Sequence, residues 1–219
     1  VVAMVSFKPR PQTQREEIAN AVSHGIAFLL AVASVPILLD FASSRGNPAD
    51  VVGVSVFAAT MIVVYLVSAL YHALPPGPTK DWFNRLDHAA IYLFIAGTYM
   101  PFALGLLRDA WDWTILLVIC LAAALGMAAK LWGQLCPRLW ATGLYRAMGG
   151  VALVAALPLI ERMGDTALAW LAGGCAAYTV GVVAYLFDDR VRCGHFVWHL
   201  FAMAGSGCHV VAVIGPATA

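Results

Sequence analysis

Long apolar runs constrain this chain more than any other feature of its sequence. A helix needs about 20 consecutive apolar residues to cross the hydrocarbon core of a bilayer. Runs of that length predict seven spans, at residues 19–40, 51–73, 86–107, 111–131, 141–160, 166–187 and 194–214. The predicted fold class is therefore all-α, a polytopic membrane protein built as a seven-helix transmembrane bundle. Its domain would cover 19–214, flanked by a cytoplasmic N-terminal segment, 1–18, and a short external C-terminus, 215–219.

Composition agrees with a membrane protein and excludes one class of partner. The chain is 62% hydrophobic and 11% charged, whereas a soluble domain is about half apolar and a quarter charged. The net charge of +1 argues against a nucleic-acid partner, which would need a basic surface. The five cysteines are scattered without CxxC spacing, so we interpret them as small packing residues.

The positions of lysine and arginine predict how the bundle is oriented. Cytoplasmic loops of membrane proteins carry an excess of these residues. On the predicted spans, most of the 13 basic residues fall on the side of the N-terminus. They are Lys8, Arg10, Arg15, Lys80, Arg85, Lys130, Arg138, Arg146, Arg190 and Arg192; the other side has Arg45, Arg108 and Arg162. We therefore predict a multi-pass protein of the cell (inner or plasma) membrane with its N-terminus in the cytoplasm.

On this topology, polar residues from distant parts of the chain fall at one membrane depth. His72 ends span two, Asp87 begins span three, and His195 and His199 lie in the first turns of span seven. The last two are four residues apart, which places their side chains together on one helix face. His209 falls near the opposite end of span seven. Ionisable residues inside a bilayer are costly and usually mark function.

Three histidines and a water molecule form an open zinc site of the catalytic type. We therefore predict that His72, His195 and His199 bind Zn²⁺. Asp87 would be a fourth ligand or the base that deprotonates the metal-bound water. The alternative is that hydrogen bonds between helices satisfy these histidines without a metal.

Three further polar residues are predicted to support this site. Ser68 lies four residues before His72 and faces the same way, so it could orient a ligand or bind a substrate carbonyl. Asn20 and His24 share one face of span one with Glu17. Two interpretations of His24 stay open. It could support the metal ligands or contact the substrate, or it could simply pack against neighbouring helices.

Four segments of the chain resemble the hemolysin III proteins of bacteria. They read "EEIANAVSHGIAF", "SALYH", "RLDHAAIYLFIAGTYMPF" and "HFVWHLFAMAGSGCHVVAV". These proteins are grouped with the progestin and adipoQ receptors and, more distantly, with the alkaline ceramidases. The resemblance extends from Glu16 to the end of span seven and keeps the SxxxH, Asp and HxxxH motifs in the expected order.

The resemblance implies seven helices, a cytoplasmic N-terminus and zinc on the cytoplasmic side. It implies that His72, His195 and His199 hold the metal, that Asp87 contacts the zinc-bound water, and that Ser68 matches the family's serine. It also implies ceramidase-like amide hydrolysis. The sequence does not show the long N-terminal domain of the receptors, so we do not expect hormone binding.

Two functions from different classes follow. In the first, the protein is an intramembrane zinc-dependent hydrolase of lipid amide or ester bonds that serves membrane lipid homeostasis. Its substrate would be a membrane lipid, ceramide-like or another acyl lipid, and no protein partner is implied. In the second, it is a non-enzymatic sensor, regulator or haemolysin-like protein whose zinc is structural.

Overall fold

The fold is a bundle of long helices in a computed structural model that describes residues 10–105, 110–132, 147, 148, 150, 160 and 162–215. Six helices in this part of the chain are long and apolar enough to cross a membrane. They are α1 (Gln14–Ser44), α2 (Pro48–Ala73), α3 (Pro78–Gly105), α4 (Ala110–Leu131), α5 (Asp165–Leu186) and α6 (Gly194–Ile214). The predicted span 141–160 lies almost entirely outside the described residues.

Two helices begin well before the spans predicted from hydropathy. α1 starts at Gln14, where Thr13 and Glu16 form a reciprocal capping box, and α3 starts at Pro78. Hydropathy detects only the apolar part of a helix, whereas caps and hydrogen bonds extend it into the polar boundary.

The helices pack mostly on their neighbours in the chain. α1 contacts α2 and α6, α3 contacts α2 and α4, and α5 contacts α6. Buried apolar side chains form one core cluster that draws on α1, α2, α3, α5 and α6, and a second between α3 and α4. Many leucine and valine side chains on the outer faces are exposed, as expected where lipid is the solvent.

The direction of each helix follows from its contacts. Gly126 of α4 lies against Tyr92 of α3, and Gly174 of α5 lies against His209 of α6, so each pair is antiparallel.

Glu17 of α1 contacts His72 near the end of α2 and Lys80 near the beginning of α3. His72 lies against His195 at the beginning of α6. α1, α3 and α6 therefore begin at one end of the bundle, which we call the histidine end, and α2, α4 and α5 finish there. Consequently the end of α4 and the beginning of α5 lie at opposite ends of the bundle.

Candidate metal centre

Three histidines from two helices meet at the histidine end. His72 comes from the last turn of α2, and His195 and His199 come from the first two turns of α6. One ring nitrogen from each lies within 4.8 Å of the others. The ring centroids of His195 and His199 are 4.7 Å apart, and that of His72 is 5.1 and 5.0 Å from them. The i and i+4 spacing on α6 thus places two rings together, and the packing of the bundle adds the third.

Each of the three rings has a partner for its Nδ1 atom. His72 Nδ1 lies 2.7 Å from Glu17 Oε2, and His195 Nδ1 lies 2.7 Å from Asp188 Oδ2. His199 Nδ1 lies 3.2 Å from the Ser23 hydroxyl. Because Nδ1 is engaged in every ring, Nε2 is the atom left to face the other histidines.

A fourth histidine covers the cluster from the α1 side. The His24 ring stacks on His199 with the ring planes 7° apart and centroids 3.4 Å apart. Its Nδ1 atom lies 2.7 Å from the Ser68 hydroxyl, and Ser68 in turn lies beside the Asp87 carboxylate. The hydrogen bond between His24 and Ser68 therefore connects α1 to α2 next to the histidine cluster.

Asp87 is close to this cluster without being a member of it. It is buried in the early part of α3 and close enough to His195 for electrostatic interaction. It does not belong to the group of side chains whose ligand atoms lie within 4.8 Å of one another. The carboxylate therefore lies beside the histidine cluster without belonging to the candidate ligand group.

Asn20 acts mainly through its backbone. It is fully buried, and its side-chain amide donates to Gln12 Oε1 at 2.7 Å. Its carbonyl accepts a hydrogen bond from Ser23 at 2.9 Å. Asn20 thereby holds the hydroxyl that contacts His199.

Arg10, Glu16 and the backbone of Cys193 form a hydrogen-bonded group at the histidine end, which we call the clasp. Glu16 accepts two hydrogen bonds from the Arg10 guanidinium, at 2.7 and 2.9 Å, and one from the backbone N–H of Cys193 at 2.8 Å. The hydrogen bond to Glu16 raises the pKa of Arg10 above its ordinary value. The clasp joins the beginning of α1 to the loop that precedes α6, and that loop contains Asp188.

Sequence comparisons identify the family to which this arrangement belongs. The family described as "Haemolysin-III related" matches residues 12–210. Hemolysin-3 of Bacillus cereus is 36% identical over 203 residues, 93% of this chain and 92% of that protein. The Hemolysin-3 homolog of Bacillus subtilis (strain 168) is 34% identical over 202 residues, 92% of this chain and 94% of that protein.

The chain belongs to the haemolysin III family. The resemblance predicted from the four motif segments is thus confirmed. A more distant relative is the monocyte to macrophage differentiation factor of Homo sapiens, 25% identical over 218 residues, 94% of this chain and 85% of that protein. No solved structure matches the chain significantly.

The donor set of this haemolysin III protein fits a zinc ion. The Nε2 atom of His72 is buried and has no hydrogen-bond partner among the described residues, which leaves a lone pair free to bind a metal. Histidine ligands of metals usually donate their other N–H to a carboxylate or carbonyl, and the contacts of His72 and His195 follow that pattern. Two nitrogens in a tetrahedral zinc site lie about 3.4 Å apart, and the three candidate nitrogens lie within 4.8 Å of one another.

The other two histidines of this haemolysin III protein lie outside the cluster. His209 Nδ1 donates to the Gly205 carbonyl at 2.9 Å, and its ring packs against Tyr178. His88 Nδ1 donates to the Asn84 carbonyl at 2.8 Å, and its Nε2 lies 3.3 Å from the Tyr185 hydroxyl. His209 therefore packs between α5 and α6, and His88 links α3 to α5.

Sequence reasoning missed two residues that touch the histidines. Asp188 lies in the loop before α6, and Ser23 lies one position from the predicted His24. The sequence predicts that Glu17 shares a helix face with His24, but it does not predict its contact with His72. A carboxylate near the start of a span is a weak signal for such residues, because the sequence does not say which ring it meets.

Proposed function

We propose that this protein is a zinc-dependent intramembrane hydrolase of lipid amide or ester bonds. The observation that carries the proposal is the meeting of three imidazoles with a buried carboxylate that is not itself a member of the ligand group. Three nitrogen ligands leave a coordination position open, which is the catalytic pattern, whereas a structural site is closed by four protein ligands.

His72, His195 and His199 would hold the ion. A zinc ion bound there would polarise a substrate carbonyl and make water a stronger nucleophile at neutral pH. Asp87 would accept the proton of the attacking water and return it to the leaving group, as a general base and then a general acid. Ser68, whose hydroxyl donates to the Asp87 carboxylate, would orient that base, and His24 would hold the hydroxyl in place.

The membrane setting selects the substrate class. The site lies at one end of a bundle whose outer faces are apolar, and we propose that an acyl lipid of the surrounding leaflet approaches it with its carbonyl near the polar boundary. A ceramide-like amide or another acyl lipid has its carbonyl at that depth. We place the protein in the cell membrane with the histidine end in the cytoplasm, as the distribution of basic residues predicts.

We also propose that the predicted span 141–160 crosses the bilayer between α4 and α5, which would bring the number of spans to seven. The support is that α4 finishes at the histidine end and α5 begins at the opposite end. A single crossing of the bilayer between α4 and α5 would connect these two opposite ends of the bundle.

The proposal is tested first by the metal content of the detergent-purified protein. We expect about one zinc per chain, lost in His72→Ala and His195→Ala because each removes a nitrogen ligand. His209→Ala is the matched control, since it removes a buried histidine of the same helix from outside the cluster, and it should keep its zinc. A wild-type protein purified without chelator and free of zinc would refute the proposal.

The second step is the release of fatty acid from lipid amides and esters in mixed micelles. Zinc-loaded wild type should release fatty acid, and the metal-free His195→Ala variant should not. A protein that keeps its zinc but hydrolyses none of these lipids would favour the structural-zinc alternative.

A further inference from the structure

Two carboxylates lie directly behind the histidine cluster. Glu17 of α1 contacts His72 Nδ1, and Asp188 of the loop before α6 contacts His195 Nδ1, each at 2.7 Å. Neither is a member of the candidate ligand group. We infer that Glu17 and Asp188 are positioning residues that fix the tautomer and direction of the two histidines and so set the affinity of the site for metal. This inference rests on the proposed zinc site.

The tautomer follows from what a carboxylate can do. An ionised carboxylate only accepts hydrogen bonds, so the proton of each ring must be on Nδ1. The lone pair then lies on Nε2, which in His72 is buried and has no hydrogen-bond partner among the described residues. A negative charge behind the ring also makes Nε2 a better donor to a cation.

Both carboxylates are held in place by further contacts. The other carboxylate oxygen of Glu17, Oε1, forms a salt bridge with Lys80 Nζ of α3 at 3.2 Å. Asp188 is buried, and its loop is held by the hydrogen bonds from Cys193 N–H to Glu16 and from Arg10 N–H to the Asp189 carbonyl. Since the carboxylates are anchored, the rings they contact lose the freedom to rotate away.

The third histidine provides an internal comparison. Among the described residues, His199 forms hydrogen bonds only with neutral groups, the Ser23 hydroxyl at the longer distance of 3.2 Å and the Asn20 backbone carbonyl. A hydrogen bond to an ionised group is roughly twice as strong as one between neutral groups. The loss of Ser23 should therefore weaken metal binding less than the loss of either carboxylate.

The test is the affinity of metal-free protein for Zn²⁺, measured by competition with a chelator of known affinity. We expect Glu17→Gln and Asp188→Asn each to bind zinc about 10–100-fold more weakly than wild type, and Ser23→Ala to lose less. Asp189→Asn is the matched control, because it removes the neighbouring carboxylate, which contacts no histidine among the described residues. The absorption spectrum of bound Co²⁺ should also change in Glu17→Gln and Asp188→Asn, which a loss of general stability would not cause.

The outcomes separate this inference from the proposed function. If wild type binds zinc and both carboxylate variants bind it within twofold of wild type, the inference is overturned while the zinc site stands. If Asp189→Asn weakens binding as much as Asp188→Asn, the effect is not specific and the inference is also overturned. If wild type binds no zinc, the proposed function fails and the inference with it. Asp188 lies outside the helices, so its variant provides a test even if Glu17→Gln disturbs the folding of α1.

Discussion

The Nε2 atoms of His72 and His24 are both buried without a hydrogen-bond partner among the described residues. An unpaired buried polar atom costs about 1–3 kcal/mol, so each one calls for an explanation. For His72, the partner that we propose is a metal ion, because two further imidazoles lie beside it. His24 stacks on His199 and contacts Ser68 through Nδ1, so its unpaired Nε2 belongs to a ring that lies against the cluster.

A substitution at Asp87 distinguishes a catalytic zinc site from a structural one. We expect Asp87→Asn to keep about one zinc per chain, because three imidazoles remain, and to lose hydrolysis by about 10²–10⁴-fold, the usual effect of a general base. The measurement is zinc content and fatty-acid release on the same sample. Loss of zinc from Asp87→Asn would instead indicate that the carboxylate is a ligand and that the site is closed.

Among the elements, α5 and α6 meet through small residues. Gly174 and Gly205 lie at this contact, and a side chain on either would meet the aromatic ring of the facing helix. Small residues allow the backbones of membrane helices to approach closely. Close packing stabilises helix pairs in a bilayer, where lipid provides no hydrophobic driving force between them. This contact fixes α6, the helix that carries two of the three candidate ligands.

A pair of glycines on α6 tests this packing. A Cβ atom at Gly205 would lie 2.8 Å from the Tyr178 ring, whereas a Cβ atom at exposed Gly207 would meet nothing within 4 Å. We expect Gly205→Ala to destabilise the bundle by about 1–3 kcal/mol through overpacking. Gly207→Ala, in the same helix, should change stability by less than ~1 kcal/mol.

The measurement is the thermal unfolding midpoint of each variant in detergent. Both substitutions make the same change in helix propensity, so the difference between them isolates the contact with α5. Equal midpoints would show that Tyr178 moves aside at no cost and that the contact is not tight.

At the scale of the whole molecule, the two ends of the described chain lie at opposite ends of the bundle. α1 begins at the histidine end, and α6 begins there and finishes at the other. With the basic residues concentrated on the N-terminal side, we expect the N-terminus in the cytoplasm and residue 215 outside.

Reporter fusions to the two termini check this orientation. A fluorescent protein that matures only in the cytoplasm should report at the N-terminus, and a phosphatase active only outside should report at the C-terminus. Both termini on one side would contradict the direction of the helices. Exchanged sides would leave the bundle intact and contradict the charge argument alone.

The sequence by itself determined the features that depend on local periodicity and composition. Runs of about 20 apolar residues identify helices that can span a bilayer, and the i and i+4 spacing of His195 and His199 places them on one face whatever the helix packs against. The family was recognisable from the order of its motifs. The beginnings of α1 and α3 were missed, because caps and polar first turns extend a helix beyond its apolar run.

Only the tertiary structure decided which side chains meet across helices. Glu17 on His72, Asp188 on His195 and the stacking of His24 on His199 join residues 55, 7 and 175 positions apart. Such contacts depend on how far each helix is rotated and how closely the helices approach, and these quantities are set by the packing of the whole bundle. A rotation of one helix by a single residue, about 100°, would turn the carboxylate away from its histidine without altering any pattern in the sequence.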